Sequence, residues 1–174
     1  MDSVIIAKFG GSTIGVDGIS IPVIIQRIST ISKNAKVIAV FSAPLTVVEG
    51  KRTSLTDVVL ELGNRAKDGR TSDLIILKKT YEKILELVSS EFQDECKKII
   101  DDCLDKVSIE LEKAMEKKEF SDEIRSKTLA YSGEILMSYI MEYILQSQEI
   151  GSKAVKLENW PIITDNNIEY TNFV

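Results

Sequence analysis

Lys8 closes the β-branched run Val4-Ile5-Ile6-Ala7 and is followed, after Phe9, by Gly10-Gly11-Ser12. A backbone without side chains directly after a strand lets N–H groups approach an anion, and a lysine adds a point charge, so the segment reads as a phosphate cradle. A plain tight turn is the other reading. The pattern is neither G-x-G-x-x-G nor a P-loop, and Gly50-Lys51-Arg52 fails the Walker pattern because Arg52 stands where Ser or Thr is needed. Ser42 follows a second apolar run, at a carboxyl end where open parallel sheets bind ligands. Thr56-Asp57 opens a helical stretch, where Thr56 is either a helix cap or a site residue. Gly133-Glu134 falls inside the most apolar helical stretch. A glycine there costs about 1 kcal/mol relative to alanine, and a buried carboxylate is costly unless paired. Gly133 serves close packing with Glu134 paired internally, or Glu134 faces a cationic group such as a substrate amine.

The elements that must hold these residues follow from periodicity. Val4–Ala7 reads as a buried strand and Val37–Phe41 as a second strand, and Ile24, Ile25, Ile28 and Ile31 form a helix between them, with Pro22 in its first turn and Ser32-Lys33-Asn34 as its stop. Strand, turn, helix and strand make a βαβ unit with parallel strands. Pro44 to Thr53 reads as a long loop. From Ser54 to about Gln148 the pattern is helical almost throughout. A first stripe, Leu55 to Leu62, is closed by Gly63, and a second runs from Leu74 to Val88. A third runs from Phe92 to Val107, and a short fourth around Leu111 and Met115 stands alone or continues it. The helix starting near Ser121 carries Asp122 and Glu123 in its first turn and is apolar nearly all round from Ile135 to Leu145. After Gly151, Ala154-Val155-Lys156-Leu157 reads as strand three, and Trp160 to Asp165 leads back over the strand ends.

Composition narrows the chemistry. The chain has 174 residues, 44% hydrophobic and 28% charged, which is one domain of ordinary globular make-up. Its net charge of −5 lacks the basic footprint of a nucleic-acid binder. No apolar run approaches the ~18 residues of a membrane span, and no signal peptide is readable after Met1-Asp2-Ser3, so a cytoplasmic location is expected. Histidine is absent, which removes Ser-His-Asp and Cys-His triads, histidine-ligated zinc and imidazole acid–base catalysis. No metal ligand set is assigned. Cys96 and Cys103 lie about 10.5 Å apart along one helix, beyond disulfide reach, and read as core thiols in a reducing compartment.

Lys8-Phe9-Gly10-Gly11-Ser12, Ser42-Ala43, Thr56-Asp57, Ser132-Gly133-Glu134 and Thr164-Asp165, in this order and spacing, resemble the aspartokinases of the amino-acid-kinase superfamily. The resemblance spans nearly the whole chain, including the large helical insertion at about 54–148. It implies an α/β fold, a three-layer αβα sandwich with a mainly parallel sheet like that of carbamate kinases, here incomplete. It also implies ATP-dependent phosphorylation of the L-aspartate β-carboxylate to 4-phospho-L-aspartate, the first step of lysine, threonine and methionine biosynthesis. By motif match, Lys8 is the catalytic cation on the transferring phosphate, and Gly10, Gly11 and Ser12 join it in binding ATP phosphates. Ser42, Thr56 and Glu134 line the L-aspartate site, with Glu134 on the amino group. Mg²⁺ enters with ATP. A carboxylate acceptor of pKa ~3.9 is ionised at neutral pH and needs no general base, which fits a chain without histidine. Residues 1–174 correspond to the substrate-side part of the kinase domain, with the nucleotide lobe and the ACT domains absent. The fragment is therefore expected to be inactive alone, and the intact enzyme to be a homo-oligomer. The departures fall at the long Ser42–Thr56 segment and at Ile168-Glu169-Tyr170, where the family often carries an arginine on the substrate carboxylates. The alternatives are another amino-acid kinase, such as a glutamate or carbamate kinase relative, and a non-catalytic binding or dimerisation module of the same fold.

Overall fold

Val4, Ile5 and Ile6 favour an extended chain, and in the computed structural model, which describes residues 3–155, they begin strand β1 (Val4–Phe9). A four-residue helix α1 (Gly11–Ile14) follows at the glycine pair, where the sequence predicts only a turn. Helix α2 (Ile21–Ser32) has Pro22 in its first turn, where the missing N–H costs nothing, and buries Ile21, Ile24 and Ile28. It returns the chain to β2 (Lys36–Phe41), which pairs with β1 in parallel from Val4↔Lys36 to Phe9↔Phe41. The two phenylalanines stack at 5.4 Å between centroids and close the carboxyl end of the pair.

Pro44 to Thr53 is not a loop. Strands β3 (Leu45–Val48) and β4 (Lys51–Ser54) pair antiparallel about Glu49 and Gly50, both with positive φ (48° and 78°). Two consecutive left-handed residues give the turn that matches strand twist in a two-residue hairpin. The hairpin is strapped to the first unit by the Leu45 amide, which donates to the Gly15 carbonyl, and by the Asp17 amide, which donates to the Leu45 carbonyl.

Five helices follow. In α3 (Leu55–Lys67) the predicted stop at Gly63 does not operate: the helix runs on, and the absent side chain leaves room for the Phe120 ring. Helix α4 (Ile75–Leu85) buries Leu77, Thr80, Tyr81 and Ile84. The third and fourth stripes are one helix, α5 (Ser90–Lys117), of 28 residues, packed mainly against α3, α6 and α7. Cys96 and Cys103 are buried in it, and burial pushes their thiols up to about 12 and about 11, so both stay protonated at neutral pH.

The expected single helix from Ser121 is two. Ser121 caps α6 (Asp122–Ser132), its hydroxyl accepting from the Ile124 amide, and α7 (Glu134–Gln146) starts after a break at Gly133, whose φ −128° and ψ −100° lie outside the helical region. Leu136, Met137, Ile140, Met141 and Ile144 of α7 are fully buried, as its nearly all-round apolar sequence requires. The core thus joins Phe9 and Phe41 to the helical layer.

The described residues form an α/β structure, about 60% helical, with one parallel and one antiparallel strand pair. On one face of the parallel pair Val4, Ile6, Ile38 and Val40 stay exposed, Ile6 at 72%. No helix among the described residues is long and apolar enough to cross a membrane. Ala154 and Val155 carry no strand, and the remainder of the predicted third strand, with Thr164-Asp165, lies outside the described residues.

Candidate functional site

Ala43 is the residue on which the predicted motifs meet. It follows Ser42 at the end of β2, where the Ser42 amide donates to the Phe9 carbonyl at 3.0 Å and ties the two strand ends together. Gly11 lies over it so closely that a Cβ on Gly11 would stand 2.5 Å from the Ala43 carbonyl oxygen. Gly133 approaches from the other side, and a Cβ there would stand 3.1 Å from Ala43 Cβ and 3.1 Å from the Leu129 carbonyl oxygen. Two glycines about 120 residues apart in sequence therefore touch one residue at the carboxyl end of the parallel pair. The Leu55 amide donates to the Pro44 carbonyl at 3.3 Å, which brings the start of α3, and Thr56 with it, beside the same segment.

The structure thus brings Gly11 and Gly133 onto Ala43, beside Ser42, and Leu55 onto Pro44, with Gly10, Glu134 and Thr56 as their chain neighbours. Gly10 precedes α1, and the Thr13 and Ile14 amides donate to its carbonyl. That pattern leaves the Gly11 and Ser12 amides as the first-turn donors, which have no partner inside a helix. Ser12 is exposed. Lys8, also exposed, has a different outlook. With Thr13, Ser20 and Arg27 it lines a groove of about 520 Å³ between β1 and α2, whose walls are apolar and whose charged lining is cationic.

Two expectations are corrected. Glu134 is not a buried carboxylate inside a helix; it is exposed and is the first residue of α7, because the chain breaks at Gly133, where it packs closely on Ala43. The carboxylate stands where the helix dipole favours negative charge. Thr56 is not a cap: Ser54 holds that place, its hydroxyl accepting from the Asp57 amide at 3.4 Å, and Thr56 is the second residue of α3.

The sequence reading passed over two groups behind the crevice. Asp17, with φ 50°, holds a carboxylate against Thr46, Thr80 and Lys83. Tyr81, fully buried, donates its hydroxyl to the Ser132 carbonyl at 2.5 Å. Burial pushes the Tyr81 phenol far up, and the nearby Glu134 charge adds to it, so the hydroxyl keeps its proton. No local pattern announces either group, since each joins segments far apart in sequence. Among the described residues no group of three or more His, Cys, Asp or Glu side chains could hold a metal ion.

No model of a known protein family matches the chain, and no characterised protein has significant similarity to it.

Proposed function

We propose that the chain forms the substrate-side part of an aspartate-kinase-type phosphotransferase, which transfers the γ-phosphoryl group of ATP to the β-carboxylate of L-aspartate. The observation that carries this reading is the convergence of Gly11 and Gly133 on Ala43, which brings the glycine turn and the residue before Glu134 to one point at the strand ends. The first-turn amides of Gly11 and Ser12 offer donors to a phosphate, and Lys8, exposed and lining the neighbouring β1–α2 groove, would have to swing toward the strand end to neutralise the charge that develops on it. Ser42 and Thr56 offer hydroxyls to the amino acid, and Glu134, exposed at the start of α7, offers a counter-charge to its ammonium. Positioning and charge neutralisation are the protein's share of phosphoryl transfer, so no imidazole is required. In this reading Mg²⁺ would be brought by the nucleotide. The three-layer sandwich belongs to this reading, with a further layer covering Val4, Ile6, Ile38 and Val40. The same exposed apolar face favours a second reading, a non-catalytic module that assembles through it, and homo-oligomer formation is part of either.

Titrating the isotopically labelled chain with L-aspartate tests the first reading. The amides of Ser42, Ala43, Gly133 and Glu134 should shift together along one saturable curve. Shifts confined to α5, or none at millimolar ligand, would overturn it.

A further inference from the structure

Helix α4 touches both sides of the crevice from behind with adjacent residues. The Thr80 hydroxyl, 1% exposed, lies 3.0 Å from that of Thr46, and the two lie 3.3 and 3.2 Å from Asp17 Oδ1. Lys83 Nζ, one helical turn along from Thr80, donates to Asp17 Oδ2 at 2.5 Å. Asp17 follows the Gly10–Gly15 turn, and the paired amides of Asp17 and Leu45 fix that turn to the hairpin. One side of α4 therefore holds the glycine turn in place.

The next residue, Tyr81, holds the other side. In an uninterrupted helix the Ser132 carbonyl would accept the Leu136 amide four residues on. At the Gly133 break that bond is not made, and the regular ladder of α7 begins one residue later, with the Met137 amide on the Gly133 carbonyl. Ser132 is buried, and a buried carbonyl without a donor is costly. The Tyr81 hydroxyl supplies that donor at 2.5 Å. Gly133 and Glu134 come directly after the carbonyl it holds.

We infer that Thr80 and Tyr81 form a positioning clamp that sets the separation between the Gly10–Ser12 turn and Glu134, and so selects the length of the amino-acid substrate. The inference rests on the aspartate-kinase reading for the identity of the ligand, and on hydrogen bonds alone for the clamp. A substrate held by its amine at Glu134 and by its side-chain carboxylate near the glycine turn is measured between two fixed points. Fixing both points would disfavour one added methylene, as in L-glutamate. Tyr81 and Thr80 touch neither end of the ligand; they act through Asp17 and Ser132.

The test uses the full chain with Tyr81→Phe and Thr80→Val, each measured with and without ligand. In the parent chain L-aspartate should bind roughly tenfold or more tightly than L-glutamate, the discrimination one methylene commonly carries. Tyr81→Phe should bring that ratio close to one, a change that general loss of stability does not produce. Without ligand, Tyr81→Phe should shift the amides of Gly11 and Asp17 as well as those of Gly133 and Glu134. Thr80→Val should do the same from the opposite side and serves if Tyr81→Phe does not fold. Shifts confined to the immediate neighbours of the substituted residue would overturn the clamp, as would an unchanged ratio in a chain that binds both amino acids. Should the parent chain bind neither amino acid, the aspartate reading fails, and the ligand-free shifts still decide the clamp.

Discussion

Ile140→Ala should lower the stability of the chain by about 2–5 kcal/mol, the usual cost of removing a fully buried branched side chain and leaving a cavity. Ile140 is fully buried on α7, which packs against α5, α6 and β2. The site is enclosed on several sides by different elements, so the surroundings have little freedom to collapse into the space. For a chain of this length the melting temperature should fall by roughly 5–15 °C. A urea titration and a thermal scan check this together. A fall under about 1 kcal/mol, the range of ordinary surface substitutions, would mean that α7 is not the centre of the core.

Gly11→Ala and Gly10→Ala should differ sharply although the residues are neighbours. A Cβ on Gly11 would stand 2.5 Å from the Ala43 carbonyl oxygen, a backbone atom anchored at the end of β2 that cannot swing aside as a side chain would. Relief requires the glycine turn to move away from the strand end, at about 1–3 kcal/mol or more. Gly10 has φ −74° and ψ 165°, open to any residue, and nothing lies within 4 Å of its Cβ position. Its substitution should stay within about 0.5 kcal/mol of the parent. Equal losses for the two, read from urea midpoints, would contradict the packing of Gly11 on Ala43.

Local pattern made β1, α2, β2 and the helical stretch readable in the sequence. The isoleucine spacing of α2 and the apolar runs of the two strands are short-range signals, and a βαβ unit leaves little choice of pairing. Much of what shapes the crevice is long-range. Gly133 stands out in the sequence as a glycine in an apolar helix, but its close neighbour Ala43 lies 90 residues earlier, and the helix break that makes Glu134 the first residue of α7 has no local signal. The hairpin escaped because Pro44 and Gly50-Lys51-Arg52 read as loop chemistry, whereas Glu49 and Gly50 make a tight turn between alternating residues. Ser54, at the junction of β4 and α3, holds the capping position that is one of the two readings of Thr56. Asp17 and Tyr81 are satisfied only by partners on other elements, so no window of sequence contains the reason for either.

The role of Glu134 is open to one direct measurement: the dissociation constants of L-aspartate and of succinate, which lacks the amine, for the parent chain and for Glu134→Gln. If Glu134 holds the ammonium group, succinate should bind the parent roughly tenfold or more weakly than L-aspartate, a difference of about 1.4 kcal/mol. Glu134→Gln should remove that difference by weakening L-aspartate and leaving succinate nearly unchanged. The same preference for L-aspartate in both proteins would contradict the assignment of Glu134, and with it the reading of the crevice as an amino-acid site.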